Sequence, residues 1–268
     1  MLAGHDARAT DLLKLLGHDL RWALVRSLAR SDYRVQELAD QVARPMNLVS
    51  YHLRLLREAG LVYERRSSAD RRDVYCSLDL TRLARAYQAA GVALHPVLGG
   101  QVAPPPRRTP LRLLFLCTHN SARSQMAEGI LRMRAGARPL TVMSAGTHPA
   151  TIHPLAIAAA AELGVDIRGQ QSKHLDSLRT HAFDVVVTVC DQAREECPVF
   201  GAKATRLHWS FPDPAAATGS EAERAAIFRS TAHGLARRID YLLLQLDRDD
   251  AIDDASDDAS GDTSVNVV

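Results

Sequence analysis

The sequence contains no long apolar run. No stretch approaches the ~18 uninterrupted apolar residues that a membrane-spanning helix needs. The N-terminus also lacks the basic, apolar and small-residue order of a signal peptide. These absences predict a cytoplasmic protein without a membrane segment. Because 46% of the residues are apolar, a packed globular protein is expected rather than a disordered or fibrous one.

Cysteine is also scarce. The 268 residues include four cysteines, too few for a disulfide scaffold in a chain of this length. Thiols that persist in a reducing compartment tend to be catalytic, metal-binding or buried. The positions of these residues therefore bear on function, and they are Cys76, Cys117, Cys190 and Cys197.

Composition divides the chain into segments. The stretch before Leu111 contains Gly99-Gly100 and three consecutive prolines, which is typical of an extended linker. The C-terminal stretch has seven acidic and no basic residues, which predicts disorder. Because the linker would hold the folded parts apart, we expect weak coupling between them. The predicted segments are a first domain at 1–95, the linker at 96–110, a second domain at 111–248 and the acidic tail at 249–268.

The first domain has the pattern of a winged helix-turn-helix. Apolar residues recur at helical spacing, and Pro45 breaks the pattern between two of the helices. Two stretches of alternating polarity then flank a charged turn, which predicts a β-hairpin. The predicted helices span 12–16, 20–28, 35–42 and 46–59, and the predicted strands span 61–66 and 73–78. This is an α+β fold.

Residues 10–85 resemble the ArsR-type repressors, most clearly in Ser50-Tyr51-His52-Leu53-Arg54-Leu55-Leu56-Arg57-Glu58-Ala59-Gly60-Leu61-Val62. The resemblance implies a homodimer, joined through a helix at 79–95, that binds a double-stranded DNA operator. On the helix from Met46, the exposed candidates for bases and phosphates are Asn47, Ser50, Tyr51, His52 and Arg54. On the wing, the candidates for backbone phosphates are Arg65, Arg66, Arg71 and Arg72. The alternative for these arginines is a solvated hairpin.

The first domain lacks the sensor residues that such repressors often carry. Arsenite-sensing members have clustered cysteines in the third helix or near a terminus, but residues 35–42 contain none and Cys76 lies on a wing strand. Zinc-sensing members have Asp/His pairs on the last helix, which Thr81 and a single His95 do not supply. We therefore expect no metalloid sensor in this domain.

Strands and helices alternate in the second domain, which predicts a parallel sheet. The predicted strands are apolar and rich in β-branched residues, as strands buried on both faces are. They span 111–116, 140–144, 183–189 and 205–209, and the main helices span 124–135, 154–163 and 220–245. The expected fold is α/β, with a four-stranded parallel sheet flanked by helices.

A loop of the form C-x(5)-R-S lies between the first strand and the first helix of this sheet. Backbone N–H groups at a helix N-terminus, together with the guanidinium of Arg123, favour a tetrahedral oxyanion. The same field favours the thiolate form of Cys117, a nucleophile. The alternative is a buried core thiol and a surface arginine. The predicted oxyanion-binding residues are Thr118, His119, Asn120, Ser121, Ala122, Arg123 and Ser124.

Several motifs across 111–245 resemble the low-molecular-weight tyrosine phosphatase superfamily and, within it, the thioredoxin-coupled arsenate reductases. The motifs are Cys117 to Gly129, Ser144-Ala145-Gly146, Val187-Thr188-Val189-Cys190 and His208-Trp209-Ser210-Phe211-Pro212-Asp213-Pro214-Ala215. The resemblance implies the fold of that superfamily, reduction of arsenate to arsenite, thioredoxin as the electron donor, and no bound cofactor.

Three thiols have roles implied by this resemblance. Cys117 attacks arsenate, Cys190 attacks the Cys117 sulfur and releases arsenite, and Cys197 then attacks Cys190. Asp213 stands at the position of the general acid, although a solvated or helix-capping aspartate is the alternative. The polar stretch 191–196 is expected to rearrange as the disulfide is passed outward.

The sequence departs from the family pattern at a metal site. Lys173 stands where potassium-binding members carry a carboxylate, so we predict no bound metal. The two interpretations of Lys173 are that its ammonium fills the place of the cation and that it is an ordinary surface lysine. Two other functions remain open. The first is a tyrosine phosphatase fused to a regulator, and the second is a regulator that senses the anion without turnover.

Overall fold

The computed structural model describes residues 3–70, 72–95, 108–196 and 204–260. The chain forms two compact units. The first unit comprises Met1–Gln101, Val187–Cys197 and Arg206–Pro212, and the second comprises Val102–Val186, Pro198–Thr205 and Asp213–Val268. No helix in the described ranges is long and apolar enough to cross a membrane.

The described residues form nine α-helices and seven β-strands. The helices are α1 (Ala3–Leu16), α2 (Asp19–Arg30), α3 (Val35–Val42), α4 (Met46–Glu58), α5 (Leu80–Leu94), α6 (Arg123–Ala135), α7 (Pro154–Glu162), α8 (Asp191–Glu196) and α9 (Glu221–Ser260). The strands are β1 (Tyr33–Arg34), β2 (Val62–Arg66), β3 (Val74–Leu78), β4 (Leu111–Cys117), β5 (Leu140–Gly146), β6 (Val185–Thr188) and β7 (Thr205–His208).

The first unit contains the predicted winged helix. Helices α3 and α4 are joined by a short turn in which Ala43 takes a left-handed conformation with φ 49°. Strands β2 and β3 form the wing hairpin, with Val62 opposite Leu78 and Arg66 opposite Val74. The two-residue strand β1 was not predicted, and it pairs with β3 at the opposite edge from β2. The core includes Leu24, Leu28, Leu38, Val49, Leu53, Leu56 and Tyr75.

The four-stranded sheet has the order β5-β4-β6-β7, which confirms the predicted α/β fold. Central strand β4 is buried at every position except Arg112, as expected where helices cover both faces. Strands β4 and β5 are parallel, and Cys117 pairs with Gly146 at their carboxyl ends. Helices α6 and α7 both pack against α9. The core of the second unit includes Leu113, Phe115, Met126, Ile130, Phe228, Leu235 and Ile239.

The prediction of disorder from residue 249 is wrong for the described part of the tail, because α9 continues to Ser260. Two carboxylates near the predicted boundary have partners. Asp247 is buried and binds Arg138 at 2.6 and 2.8 Å. Asp250 is also buried and accepts a hydrogen bond from the backbone amide of Arg108 at 2.8 Å. These contacts stabilise α9 near residue 250, where the low apolar content of the sequence predicted disorder.

Candidate active site and DNA-binding surface

The anion loop, residues 117–124, lies at the carboxyl end of the central strand. Strand β4 ends at Cys117 and α6 begins at Arg123, so the loop turns directly into a helix of thirteen residues. The N-terminus of such a helix carries partial positive charge and unpaired N–H groups. In open parallel sheets, ligands bind at this end of the strands. The loop is therefore well placed to hold an anion.

The carbonyl groups of the anion loop point away from its thiol. Three of them accept hydrogen bonds of 2.8–2.9 Å from a neighbouring segment. The accepting carbonyls belong to Thr118, His119 and Ser121, and the donors are the amides of His148, Ala150 and His153. In a trans peptide, the N–H opposes the preceding carbonyl, so the amides of His119, Asn120 and Ala122 face the other side. The amide of Asn120 indeed points to Cys117 Sγ, at 3.1 Å.

The Cys117 thiol is buried within these donors. Its Sγ atom lies 2.8 Å from Ser124 Oγ, where either atom can donate. Asn120 permits the tight turn around the sulfur because it adopts a left-handed conformation, φ 45°, which asparagine tolerates better than most residues. The Asn120 amide and the Ser124 hydroxyl thus both contact the sulfur.

The side chain of Asn120 fastens the loop to the protein beneath. Its Nδ2 donates to Ser124 Oγ at 2.9 Å and to Ser144 Oγ at 2.8 Å. Its Oδ1 accepts from Gln125 Nε2 at 3.0 Å and from the Lys173 amide at 2.8 Å. Because Asn120 is fully buried and makes all of these bonds, it holds the loop in the described geometry.

Glu128 and Lys173 occupy the region where the resemblance implies potassium in some relatives. Lys173 Nζ lies 3.9 Å from Glu128 Oε2 and donates to the carbonyl of Gln171 at 3.1 Å. Arg132 binds the other oxygen of Glu128 at 2.6 Å. Two cationic side chains already neutralise this carboxylate, so the residues present do not fit a potassium ion.

Gly146 packs against the anion loop. A Cβ atom there would lie 2.6 Å from Thr118 O and 2.8 Å from Asn120 N, both backbone atoms. We expect Gly146→Ala to lower the free energy of unfolding by about 1–3 kcal/mol and to weaken phosphate binding, because the loop must shift. Denaturant unfolding and calorimetric titration with phosphate measure both effects. Gly169→Ala is the control, because its Cβ would meet nothing within 4 Å; equal behaviour of the two variants would contradict the prediction.

Asp213 is brought to the same site by the loop before a short 3₁₀ turn. One of its oxygens lies 3.4 Å from an Arg123 Nη atom and accepts from the Ala215 amide at 3.2 Å. Its side chain is about one-third exposed, whereas Arg123 is buried. Asp213 thus caps the turn, as the alternative interpretation had it, and it also lies beside the anion-binding arginine.

Cys190 belongs to the first unit, directly before α8. Its thiol is buried and accepts a hydrogen bond from the Ala193 amide at 3.4 Å. Next to it, the Asp191 carboxylate is fully buried. Burial alone would raise the pKa of Asp191, but His208, Ser210, the Ser68 amide and the charge of Arg65 hold it well below its usual range. Cys197 lies outside the described residues.

The helix predicted to enter the major groove has one face free for contact. Asn47, Ser50, Tyr51 and Arg54 are exposed on α4. His52 is buried, so its predicted exposure is wrong. It shares the helical stripe of Val49 and Leu53, and its ring lies 4.3 Å from that of His18 between centroids. Burial lowers the pKa of His52, which keeps the ring neutral near pH 7.

The wing arginines differ from one another. Arg72 is 91% exposed and pairs with Asp70 at 2.6 Å, and Arg66 is also exposed. Arg65 is largely buried and binds Asp191. Arg71 lies outside the described residues. The solvent-facing members fit contact with phosphates, whereas Arg65 already has an anionic partner.

Cys76 is not positioned to act as a catalytic thiol. It is fully buried on β3, and burial raises its pKa to about 12, so the thiol stays protonated at neutral pH. Among the residues that the structure describes, no group of three His, Cys, Asp or Glu side chains could hold a metal ion.

Several supporting residues received no individual role from the sequence, although Gln125 and Gly146 lie within the motifs that carry the resemblance. Gln125 and Gly146 shape the anion loop, and Ser67 and Ser68 bind carboxylates through the wing turn. A glycine in a strand is a weak signal of close backbone approach, and it could have identified Gly146. The others act through contacts that no local pattern reveals.

Two family models match the chain. Residues 112–252 match low molecular weight phosphotyrosine protein phosphatase, and residues 18–64 match the bacterial regulatory protein, arsR family.

Similar curated proteins include several arsenate reductases. Those of Halalkalibacterium halodurans and Bacillus subtilis are each 40% identical over 127 residues, which is 47% of this chain and 91% of the relative. Arsenate reductase 1 of Staphylococcus epidermidis is 41% identical over 112 residues, 42% of this chain and 84% of the relative. A solved structure of an arsenate reductase in the phosphate binding state is 29% identical, covers 51% of this chain and 98% of its own, and has a TM-score of 0.44.

Proposed function

Because the chain belongs to the low molecular weight phosphotyrosine protein phosphatase family, we propose that residues 111–248 reduce arsenate to arsenite and that residues 1–95 bind operator DNA. The observation that carries the enzymatic half is the anion loop, whose inward amides and buried thiol meet at the start of α6. The 40% identity to arsenate reductases supports arsenate as the anion. The arsR-family match supports the DNA-binding half.

Arsenate suits the anion loop because it is tetrahedral and negatively charged. The oxygens that do not react are held by loop amides and by Arg123, whose planar guanidinium can bind two of them. Cys117 Sγ then faces the arsenic atom and forms a sulfur–arsenic bond. Asp213 protonates the oxygen that leaves as water.

Reduction requires two electrons from thiols. Cys190 attacks Cys117 Sγ, and the sulfur–arsenic bonding pair stays on arsenic, which leaves as arsenite. Cys197 then attacks Cys190 Sγ, and Cys117 departs as a thiolate. The remaining Cys190–Cys197 disulfide is reduced by a dithiol such as thioredoxin. A phosphatase has no use for these two later cysteines.

The enzymatic proposal is tested by arsenate-dependent oxidation of NADPH in the presence of thioredoxin and thioredoxin reductase. We expect sustained oxidation, with arsenite as the product. Sustained hydrolysis of an aryl phosphate without arsenite formation would favour a tyrosine phosphatase. Anion-dependent release of DNA without either turnover would favour a regulator that only senses the anion.

The first domain forms a two-fold dimer in this proposal. Helices α1 and α5 pack together and expose several large apolar side chains, as a dimer interface does. These are Leu13, Tyr87, Val92 and Leu94. Two copies of α4 would then meet successive major grooves through Asn47, Ser50, Tyr51 and Arg54. Sedimentation of the full chain checks the dimer.

Wing contact with phosphates predicts a change in salt dependence. We expect Arg72→Ala to reduce the slope of log affinity against log salt concentration by about 0.9, the value for one phosphate contact. Fluorescence anisotropy of labelled DNA at several salt concentrations measures the slope. Arg168→Ala is a matched control, because Arg168 pairs with Asp166 in the second unit as Arg72 pairs with Asp70. Identical slopes for the two variants would rule out this contact.

A further inference from the structure

Helix α8 presents a carboxylate to the wing. Asp191 Oδ1 and Oδ2 accept from Arg65 Nη2 at 2.7 and 2.6 Å. Its Oδ2 also accepts from the Ser68 amide at 2.9 Å and the Ser68 hydroxyl at 3.2 Å. All of these atoms belong to the first unit. The wing turn therefore already holds an anion.

A further hydrogen bond and a further ion pair join α8 to the winged helix. Glu195 Oε1 accepts from Ser67 Oγ at 3.0 Å. Arg194 binds Glu37, in the first turn of α3, at 2.7 Å. Each charged side chain described on α8 thus has a partner in the winged helix, so α8 and the wing constrain each other.

The donors around Asp191 are those that proteins use for DNA phosphates. An arginine, a serine hydroxyl and a backbone amide commonly bind phosphate oxygens on the duplex. Arg65 Nε is buried and has no hydrogen-bond partner among the described residues. Arg65 can therefore donate a further hydrogen bond to an anion that has more oxygens than a carboxylate. A phosphate and Asp191 cannot occupy the same donors together.

Helix α8 lies in sequence between Cys190 and Cys197, the two thiols that the proposed function joins. The six residues of α8 hold its own end residues roughly 7.5 Å apart at the helical rise of ~1.5 Å per residue. The two cysteines lie outside those ends in sequence, whereas the Cα atoms of a disulfide stand about 4.4–6.8 Å apart. A Cys190–Cys197 disulfide would close an eight-residue loop that contains all of α8, and we expect this closure to strain the helix.

We propose that α8 competes with DNA for the wing, with Asp191 on the donors of Arg65 and Ser68 that bind a backbone phosphate, and that the Cys190–Cys197 disulfide releases it. The proposal rests on the proposed function, since it takes the DNA-binding role and the later thiols from there. In the reduced protein, Asp191 occupies the donors of the wing. In the oxidised protein, these donors are available to DNA.

Asp191→Asn tests the competition in the full, reduced protein. The probe is a labelled duplex selected from random-sequence DNA for binding to wild type, with anisotropy read at one fixed salt concentration. We expect about tenfold tighter binding or more, because Arg65 exchanges a charged partner for DNA. Asp247→Asn is the matched control, since it also breaks a buried aspartate–arginine pair, but in the second unit. In an Arg65→Ala background, Asp191→Asn should have a much smaller effect, because only the Ser68 donors are then released.

Should Asp191→Asn fail to fold, Glu195→Gln gives a smaller shift in the same direction, because it weakens the contact with Ser67. Oxidation is tested in Cys117→Ser, where diamide takes two electrons and two protons from Cys190 and Cys197. We expect tighter DNA binding after oxidation, and no change in Cys117→Ser/Cys197→Ser. Equal affinities of the reduced and oxidised forms, or no effect of the α8 variants, overturn the proposal. Selection of no duplex at all would instead contradict the DNA-binding function.

Discussion

Replacement of Cys117 by serine abolishes turnover of both arsenate and aryl phosphates, whereas serine at Cys190 or Cys197 abolishes sustained arsenate reduction alone. The reason is that every reaction at the anion loop begins with the Cys117 sulfur, which faces the loop amides. Only reduction then needs further thiols to supply electrons. Coupled NADPH oxidation and phosphate release from an aryl phosphate, measured on the same preparations, separate the two cases.

The matched control for these variants is Cys76→Ala, which removes a buried thiol whose high pKa keeps it protonated. We expect full activity from the folded variant. A single-turnover experiment adds a finer test, because Cys197→Ser should still release about one arsenite per chain and stop with Cys117 and Cys190 joined. Sustained arsenate reduction by Cys190→Ser or Cys197→Ser would disprove the three-thiol scheme.

Arg123→Lys has the second large effect. Arg123 is buried at the first residue of α6 and lies beside the candidate general acid, so its planar guanidinium is directed at the anion site. A lysine keeps the charge but loses the second, parallel hydrogen bond. Since a hydrogen bond to a charged group contributes about 1.5–3 kcal/mol, we expect the dissociation constant for phosphate to rise roughly 10- to 150-fold.

Calorimetric titration with phosphate and with arsenate measures this change. Arg168→Lys serves as the control, because Arg168 is exposed and pairs with nearby Asp166. The thermal midpoint of Arg123→Lys should be recorded as well, to separate lost binding from lost folding. An unchanged dissociation constant in a folded variant would mean that the anion binds elsewhere.

Local patterns predicted much of the fold. Helix α3 has the predicted bounds because its apolar spacing is regular and Pro45 ends the pattern soon after it. The anion loop was also recognisable, since strand, loop and helix N-terminus are consecutive in the chain. His52 shows the limit of residue-type reasoning: a polar residue suggested exposure, although its spacing from Val49 and Leu53 assigns it to the buried stripe.

Contacts between residues far apart in the chain could not be predicted from the sequence. Arg65 and Asp191 are 126 positions apart, and each alone is typical of an exposed charged residue. The proline-rich linker suggested weak coupling, but chain connectivity does not determine which later segments pack on the winged helix. Residues 187–197 and 206–212 cluster with the first unit, which no composition or periodicity indicated.

The anion loop is already held in place before an anion binds, because its carbonyls accept hydrogen bonds from the amides of His148, Ala150 and His153. The backbone entropy of ordering the loop is lost when the protein folds, before any anion arrives. Binding therefore carries little further entropic cost, and its affinity reflects charge and shape rather than loop closure. Hydrogen exchange at those three amides reports the opening of the loop directly, since each proton is protected only while its carbonyl partner stays in place.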